Sequence, residues 1–439
     1  MISNENKRLA QWAMEYAQRN GCQGVRVSIG TGSNTSFALR DRKMDQLQQA
    51  SENRMSITFF VDGRFGTFAT NRLNQKELET SIKNSIESTR FLAPDKARTL
   101  PDPSRFFRGG QPSLQLLDPN FGAVSPDKKV QLAEAVAAEI LGTDERIISI
   151  NSRYSDRDGF SYQLTSNGFE GETASSSFSL SASVSVRGEG DARPSNWWSE
   201  SSLFFHDLVT ENIGRKALER TLQQIGAQQV PSGRYTMVMD NLNSARMVRP
   251  LISVISGAAL QQRNSFLLDR LGDKVGSELF TLVDNPHIVG AFGARYFDDE
   301  GVATEKRTVF ERGVLKTNYI DTFNANRMGV APTISGPSIL ELQSGSKDMN
   351  GLIADVSNGI LVTGFNGGNF NNATGNFSYG IDGFLIENGR IVRPVSEMNI
   401  TGNFITLWEN LVAVGNDPRM NTSSRIPTLV FEGVDFSGV

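Results

Sequence analysis

Leu9, Ala10, Trp12, Ala13, Tyr16 and Ala17 fall on one face of a helix, and Gly21 stands where such a helix would stop. Val25, Val27 and Ile29 then alternate with polar residues, the period of a half-buried strand. From Arg54 to Phe68 two β-rich runs flank Asp62-Gly63, a dipeptide that supplies the positive φ of a tight hairpin turn. Asn74 with Glu77 reads as a capping box and predicts a helix to about Leu92. Between Ala93 and Ser125 stand Pro94, Pro101, Pro103, Pro112 and Pro119 with Gly109, Gly110 and Gly122, and no period is sustained. That stretch predicts a long irregular connection over the surface.

Ser125-Pro126 opens another helix, ending near Gly142. From Arg146 to Phe205 the pattern is β: Phe178, Leu180, Ala182, Val184 and Val186 alternate with serines, so one face is apolar and the other rich in hydroxyls. A helix from about Thr210 to Ile225, a strand Tyr235 to Met239 and a helix from about Asn243 to Gln262 follow. Beyond Ser277 short strands and Gly/Asn loops dominate, most densely from Phe365 to Phe377. This distribution predicts a mixed α+β fold of two interlocked domains, helix-rich in its amino-terminal part and β-rich in its carboxyl-terminal part. The expected division is an α+β domain with the long connection (1–125), a helix plus long β-hairpin region (126–230) and a β-rich domain (231–439).

Composition narrows the chemistry. With 44 basic against 48 acidic side chains the formal charge is −4, and no basic block tracks a phosphate backbone, so direct nucleic-acid binding is not expected. Cys22 is the sole cysteine, which excludes internal disulfides and multi-cysteine metal clusters and suits a reducing compartment. No basic segment leads into an apolar run at the amino terminus, and the apolar run Leu251 to Leu260 is interrupted by Ser253, Ser256 and Gly257. The expectation is a cytoplasmic protein without membrane association, in which sequons such as those at Asn34, Asn372, Asn399 and Asn421 carry no meaning.

Dinucleotide and Walker glycine patterns are absent, as is the Gly-x-Ser-x-Gly elbow. A Ser-His-Asp device would have to use His206, beside Asp207, or His287, after the turn-forming Asp284-Asn285-Pro286; both read more simply as loop residues. Asp298, Asp299 and Glu300 before Gly301 form the densest carboxylate cluster. It could hold a hard cation or share a proton, though a hydrated loop bonding its own amides is the simpler account. Cys22 reads as an inert thiol. Arg105-Phe106-Phe107-Arg108-Gly109-Gly110 mixes arginine and aromatics as RNA-binding tails do, and a single copy favours loop packing.

The carboxyl half carries Pro231-Ser232-Gly233-Arg234-Tyr235, Ser256-Gly257-Ala258-Ala259, Ser265 to Gly272, Asp299-Glu300-Gly301-Val302 and Glu311 to Leu315. Thr374-Gly375-Asn376-Phe377-Ser378-Tyr379-Gly380, Ile386 to Gly389, Thr401-Gly402-Asn403-Phe404 and Gly415-Asn416-Asp417 complete the set. In this order these motifs resemble the TldD/PmbA family. The resemblance implies intracellular proteases that mature a peptide microcin and degrade an antitoxin, also described as modulators of DNA gyrase. It implies two kinds of subunit: TldD-type chains bind zinc through a His-Glu-x-x-x-His helix and a later cysteine, and PmbA (TldE) chains lack these and pair with TldD.

Here the corresponding helix reads Leu251 to Leu260 without His, Glu, Asp or Cys, and no cysteine follows Cys22. Hydroxyls of Ser253 or Ser256 are poor substitutes for imidazole or carboxylate ligands. The resemblance therefore implies no catalytic residue and no metal ligand in this chain, zinc in a TldD-like partner subunit, a peptide or unfolded protein as substrate, and room for a homodimer of the isolated chain. Asp299, Gly301, Thr374, Gly375, Asn376, Phe377 and Ser378 are the candidates for a substrate groove or interface. Two other readings stand beside it: a non-proteolytic, protein-binding modulator of DNA gyrase, and a stand-alone hydrolase built on Asp298 to Glu300.

Overall fold

A computed structural model describes residues 1–438. Helix α1 (Asn4–Arg19) starts at Ser3, whose hydroxyl accepts from the Asn6 amide, and buries Ala10, Ala13 and Ala17. Strands β1 (Gly24–Arg40), β2 (Lys43–Val61) and β3 (Arg64–Thr70) follow, and Asp62 and Gly63 turn the β2–β3 hairpin at φ 52° and 70°. Helix α2 (Gln75–Arg90) is capped by Asn74, whose side chain accepts from the amides of Lys76 and Glu77. The proline-rich connection has only two single 3-10 turns, Pro103–Arg105 and Phe121–Ala123. Helix α3 (Pro126–Ala138), β4 (Ile147–Thr165), β5 (Glu170–Val186), β6 (Ser195–Ser202) and α4 (Ile213–Leu222) complete the amino-terminal part.

These six strands form one antiparallel sheet in the order β3-β2-β1-β4-β5-β6. Because β1 pairs with β4 from Arg26↔Thr165 to Arg40↔Asn151, segments 1–125 and 126–230 share a single sheet. One face is apolar at both ends. Val25, Val27 and Ile29 lie under α1 and α2, and Phe178, Leu180 and Val184 lie under α3 and α4. The other face carries the hydroxyls of β5.

The carboxyl-terminal part runs β7 (Gly233–Met239), α5 (Ala245–Val254), α6 (Gly257–Gln261), β8 (Leu282–Asp284), β9 (Arg307–Glu311), β10 (Val314–Leu315), α7 (Thr322–Met328), β11 (Leu340–Leu342) and α8 (Met349–Ala354). It ends with β12 (Asn358–Phe370), β13 (Asn376–Glu387), β14 (Arg390–Asn403), α9 (Phe404–Glu409), β15 (Leu411–Val414), β16 (Ser424–Arg425) and β17 (Leu429–Ser437). A small sheet has the order β10-β9-β8-β11-β16. The larger one, β14-β13-β12-β7-β17-β15, closes into a barrel because β14 also pairs with β17. Its core stacks Phe280 on Trp408 at 4.0 Å and on Phe310 at 4.6 Å.

The mixed α+β character matches the expectation, and α1 to α4 do lie in the amino-terminal part, but strands are not concentrated in the carboxyl-terminal part. The longest strands, β1, β2, β4 and β5, of 17 to 19 residues, lie in the part expected to be helix-rich. The outer half of β2 shows no apolar period and is extended by pairing with β1 rather than by its own side chains. The helix expected over Asn243 to Gln262 is divided. Ser256 is extended at φ −73° and ψ 148°, its hydroxyl caps the Ala259 amide, and the Gly257 amide leaves the helix to donate to the Tyr319 carbonyl at 2.6 Å.

Candidate functional site

A cleft of about 990 Å³ opens between the first sheet and the carboxyl-terminal part. Its walls are the Gly109 to Leu117 stretch of the connection, the Glu172 to Ser177 stretch of β5 and the loop Ala291 to Asp299. Aromatic rings hold these walls together. Phe107 stacks on Tyr296 at 5.3 Å and on Phe297 at 5.7 Å, Phe297 meets Phe169 edge-on at 5.1 Å, and Phe169 meets Phe106 at 5.4 Å. Main-chain bonds reinforce them: the Phe107 amide donates to Gly301 at 3.1 Å, Ala303 to Arg105 at 2.9 Å and Gly290 to Leu114 at 2.8 Å. The Arg105 guanidinium donates to the Thr333 carbonyl. The arginine-aromatic run thus packs the connection onto the carboxyl-terminal part.

The three adjacent carboxylates diverge. Asp298, 2% exposed, accepts from the amides of Glu300 and Val302 through Oδ1, each at 2.9 Å, and from Ser335 through Oδ2 at 3.0 Å. Glu300 accepts from the amide and hydroxyl of Thr322 at 3.0 and 2.7 Å. Burial pushes its carboxyl above the usual range, the Thr322 bonds oppose this, and the negative charges of Asp298 and Asp321 add to it. Asp299 is exposed at the cleft wall, and its main-chain carbonyl accepts from Arg26 at 3.3 Å and Gln163 at 3.2 Å. Gly301, at φ +84°, lies against Phe169, where a Cβ would come within 2.6 Å of the ring. These bonds shape a loop and tie it to the first sheet. Among the described residues no three His, Cys, Asp or Glu side chains converge as a cation would require.

Thr374 to Ser378 lie elsewhere, at the β12–β13 hairpin. Asn403 donates to the Thr374 carbonyl at 2.8 Å and to Asn376 Oδ1 at 2.9 Å, the Phe404 amide donates to Gly375 at 2.9 Å, and Phe377 packs on Phe404 at 4.8 Å. Gly375 takes φ +79° against Phe266, and Ser378 pairs with Thr401. None of these five residues lines the cleft that Asp299 borders.

His206 is exposed beside Asp207. His287 Nε2 lies 3.0 Å from the Thr304 hydroxyl, and burial lowers its pKa. Burial pushes the Cys22 thiol up to about 11, as an inert thiol requires. At the break between α5 and α6 the Ser256 hydroxyl donates to the Ser253 carbonyl at 2.7 Å and accepts from Ala259 at 3.3 Å. Asp240, at the end of β7 before α5, is a buried acid that no sequence motif singles out. It is 3% exposed and pushed up to about 6 by burial, against the Asn243 side-chain bond and the Arg220 charge. The one sequence signal was an acid ending an apolar strand.

Comparison with known proteins places this geometry. Three models of the PmbA/TldA metallopeptidases match in succession: domain 1 over residues 25–89, the central domain over 119–225 and the C-terminal domain over 232–438. The metalloprotease PmbA of Escherichia coli O157:H7 is 24% identical over 433 residues, 97% of this chain and 94% of that protein. A crystal structure of a suggested modulator of DNA gyrase from Bacteroides thetaiotaomicron is 61% identical, with a TM-score of 0.99 and full coverage of both chains. TldE from Thermococcus kodakarensis shares the fold, with a TM-score of 0.86 at 19% identity over 99% of this chain and 100% of that one.

Proposed function

This chain belongs to the PmbA/TldD metallopeptidase family, and from that premise we propose that it is the PmbA/TldE-type, zinc-free subunit of a cytoplasmic peptidase complex whose metal chemistry resides in a TldD-like partner. The observation that carries this reading is the composition and geometry of α5 and α6. The two helices offer no imidazole, carboxylate or thiol, and the Ser256 hydroxyl at their junction is engaged in two hydrogen bonds. Neutral hydroxyls do not hold zinc or lower the pKa of its water. The residues present do not fit the metal, and no step is routed through it.

On this reading the chain supplies walls rather than chemistry: an ordered cleft, a partner surface and exclusion of water from an extended peptide or unfolded protein. A buried, unreactive Cys22 agrees with a reducing compartment, and no helix is long and apolar enough to cross a membrane. This reading leaves room for a homodimer of the isolated chain. Metal analysis and peptidase assays on each purified subunit and on their mixture test the reading. The expected result is no stoichiometric zinc and no cleavage by this chain alone, with chelator-sensitive cleavage by the mixture. Tight zinc and cleavage by the isolated chain would overturn it.

The description of the 61% identical relative as a suggested gyrase modulator favours a second reading, binding to gyrase without proteolysis. Capture of gyrase by this chain without a peptidase subunit, unaffected by chelators, would support it. A hydrolase built on Asp298 to Glu300 has no such support, because Asp298 and Glu300 accept from backbone amides that order the loop.

A further inference from the structure

Strand β5 is accompanied by β4 from Glu170 to Val186, but by β6 only from Phe178 to Ser185. Its first half therefore has an edge that no strand covers. In an antiparallel strand the N–H and C=O of one residue point to the same side, and successive residues alternate. The Ser176 amide turns away from β4, since it donates to the Leu116 carbonyl at 2.9 Å. The β4–β5 register has no irregularity between Glu170 and Ser185. Glu172 and Ala174 share the parity of Ser176, so their N–H and C=O groups also turn outward. Among the described residues no main-chain or side-chain partner meets those groups. Glu172 is exposed, Ala174 is half-buried, and both line the cleft of about 990 Å³.

An uncovered edge is a template for a further strand, and proteins usually blunt or cover one. This edge is instead left open inside a recess, and the chain's own Leu116 already occupies the next position along it. We propose that the Glu172 to Ala174 edge of β5 binds a peptide in extended conformation as an added strand, in line with Leu116 at Ser176. The ligand class rests on the peptidase reading above; the edge itself does not. Main-chain pairing accepts any sequence, which suits a site for unfolded polypeptide. The exposed Asp299 on the facing wall favours cationic side chains on that peptide.

The experiment uses the full chain, alone and with a TldD-type subunit. The probe is a fluorescein-labelled, unstructured cationic peptide of fixed, non-repeating sequence and about eight residues, long enough to overrun the open edge. Each backbone nitrogen is methylated in turn, and affinity is read by anisotropy. Methylation at alternate positions is expected to weaken binding about tenfold, with little effect at the positions between. Ala174→Pro removes an outward N–H and leaves the β4 ladder bonds alone, so it should weaken the unmethylated peptide by a similar factor. If Ala174→Pro does not fold, the methylation series on the native chain decides. Absence of saturable binding, a methylation profile without a period of two, or a folded Ala174→Pro variant of undiminished affinity would each overturn the proposal. Zinc and cleavage in the isolated chain would sink the subunit reading and leave the two-residue period intact. A flat profile with partner-dependent cleavage would sink only the edge.

Discussion

Phe107 lies flat on Tyr296, with ring centroids 5.3 Å apart and planes within 1° of parallel. One ring comes from the proline-rich connection and the other from the loop that carries Asp299, so the contact fixes two cleft walls to one another. Phe107→Ala should remove this stack and the one on Phe297. The expected loss is about 2 kcal/mol, below that of a fully buried phenylalanine because Phe107 is half-buried. Urea unfolding measures it, and limited proteolysis should show faster cutting between Arg105 and Leu117. Unchanged stability and unchanged cutting would remove the ring ladder from this account.

Gly301 and Gly109 separate two effects that glycine combines. Both have positive φ, +84° and +76°, but a Cβ on Gly301 would meet Phe169 at 2.6 Å, whereas one on Gly109 would meet nothing within 4 Å. Gly109→Ala should cost about 1 kcal/mol from backbone strain alone, and Gly301→Ala at least about 2 kcal/mol, because the buried ring must also move. Equal losses in chemical denaturation would show that the close approach to Phe169 is not tight.

Asp240 gives a pH dependence of defined sign. Burial favours its neutral form, so the folded chain keeps this proton up to about 6. The unfolded chain releases it near pH 4. Over that window the folded state binds more protons, and the contribution of this group to stability falls as pH rises and then levels off. Asp240→Asn keeps an oxygen for the Asn243 amide and side chain, 3.0 and 2.7 Å away. The variant should gain about 1–3 kcal/mol over the parent at neutral pH, and the gain should vanish near pH 4. Thermal melts at a series of pH values read this, and a gain independent of pH would contradict it.

Ser256→Ala removes the cap of α6 and the bond to the Ser253 carbonyl. A loss of about 1 kcal/mol is expected. Because the hydroxyl is not a metal ligand on our reading, partner-dependent cleavage should be retained in the variant. Loss of cleavage without loss of stability would assign Ser256 a direct role.

Much of the local structure was legible because its causes are local. Ser3, Asn74 and Ser125 each accept from amides of the helices they precede. The Asp62-Gly63 pair turns the hairpin through positive φ at both residues. The alternation from Phe178 to Val186 sorts one face of β5 into the core, with each apolar residue at or below 2% exposure. The candidate site was less legible. Asp299 does border the cleft, but Thr374 to Ser378 belong to another part of the barrel, and order along a chain carries no information about which loops meet.

What this sequence determines by itself is what the residues can be: which stretches cap, turn and alternate, and that α5 and α6 carry no side chain able to grip a divalent ion. Only the tertiary structure decides what they face. Ser256 breaks a helix because the Tyr319 carbonyl takes the Gly257 amide, and the polar half of β2 is a strand because β1 lies beside it. The open edge of β5 exists because β6 stops pairing at Phe178 while Leu116 comes no further than Ser176. The Gly257–Tyr319 and Ser176–Leu116 bonds join groups far apart in the chain, and the β1–β2 ladder joins neighbouring strands whose side chains do not announce it. The main chain offers the same donor and acceptor at nearly every residue, so its pairing is set by which segments the packed core brings together.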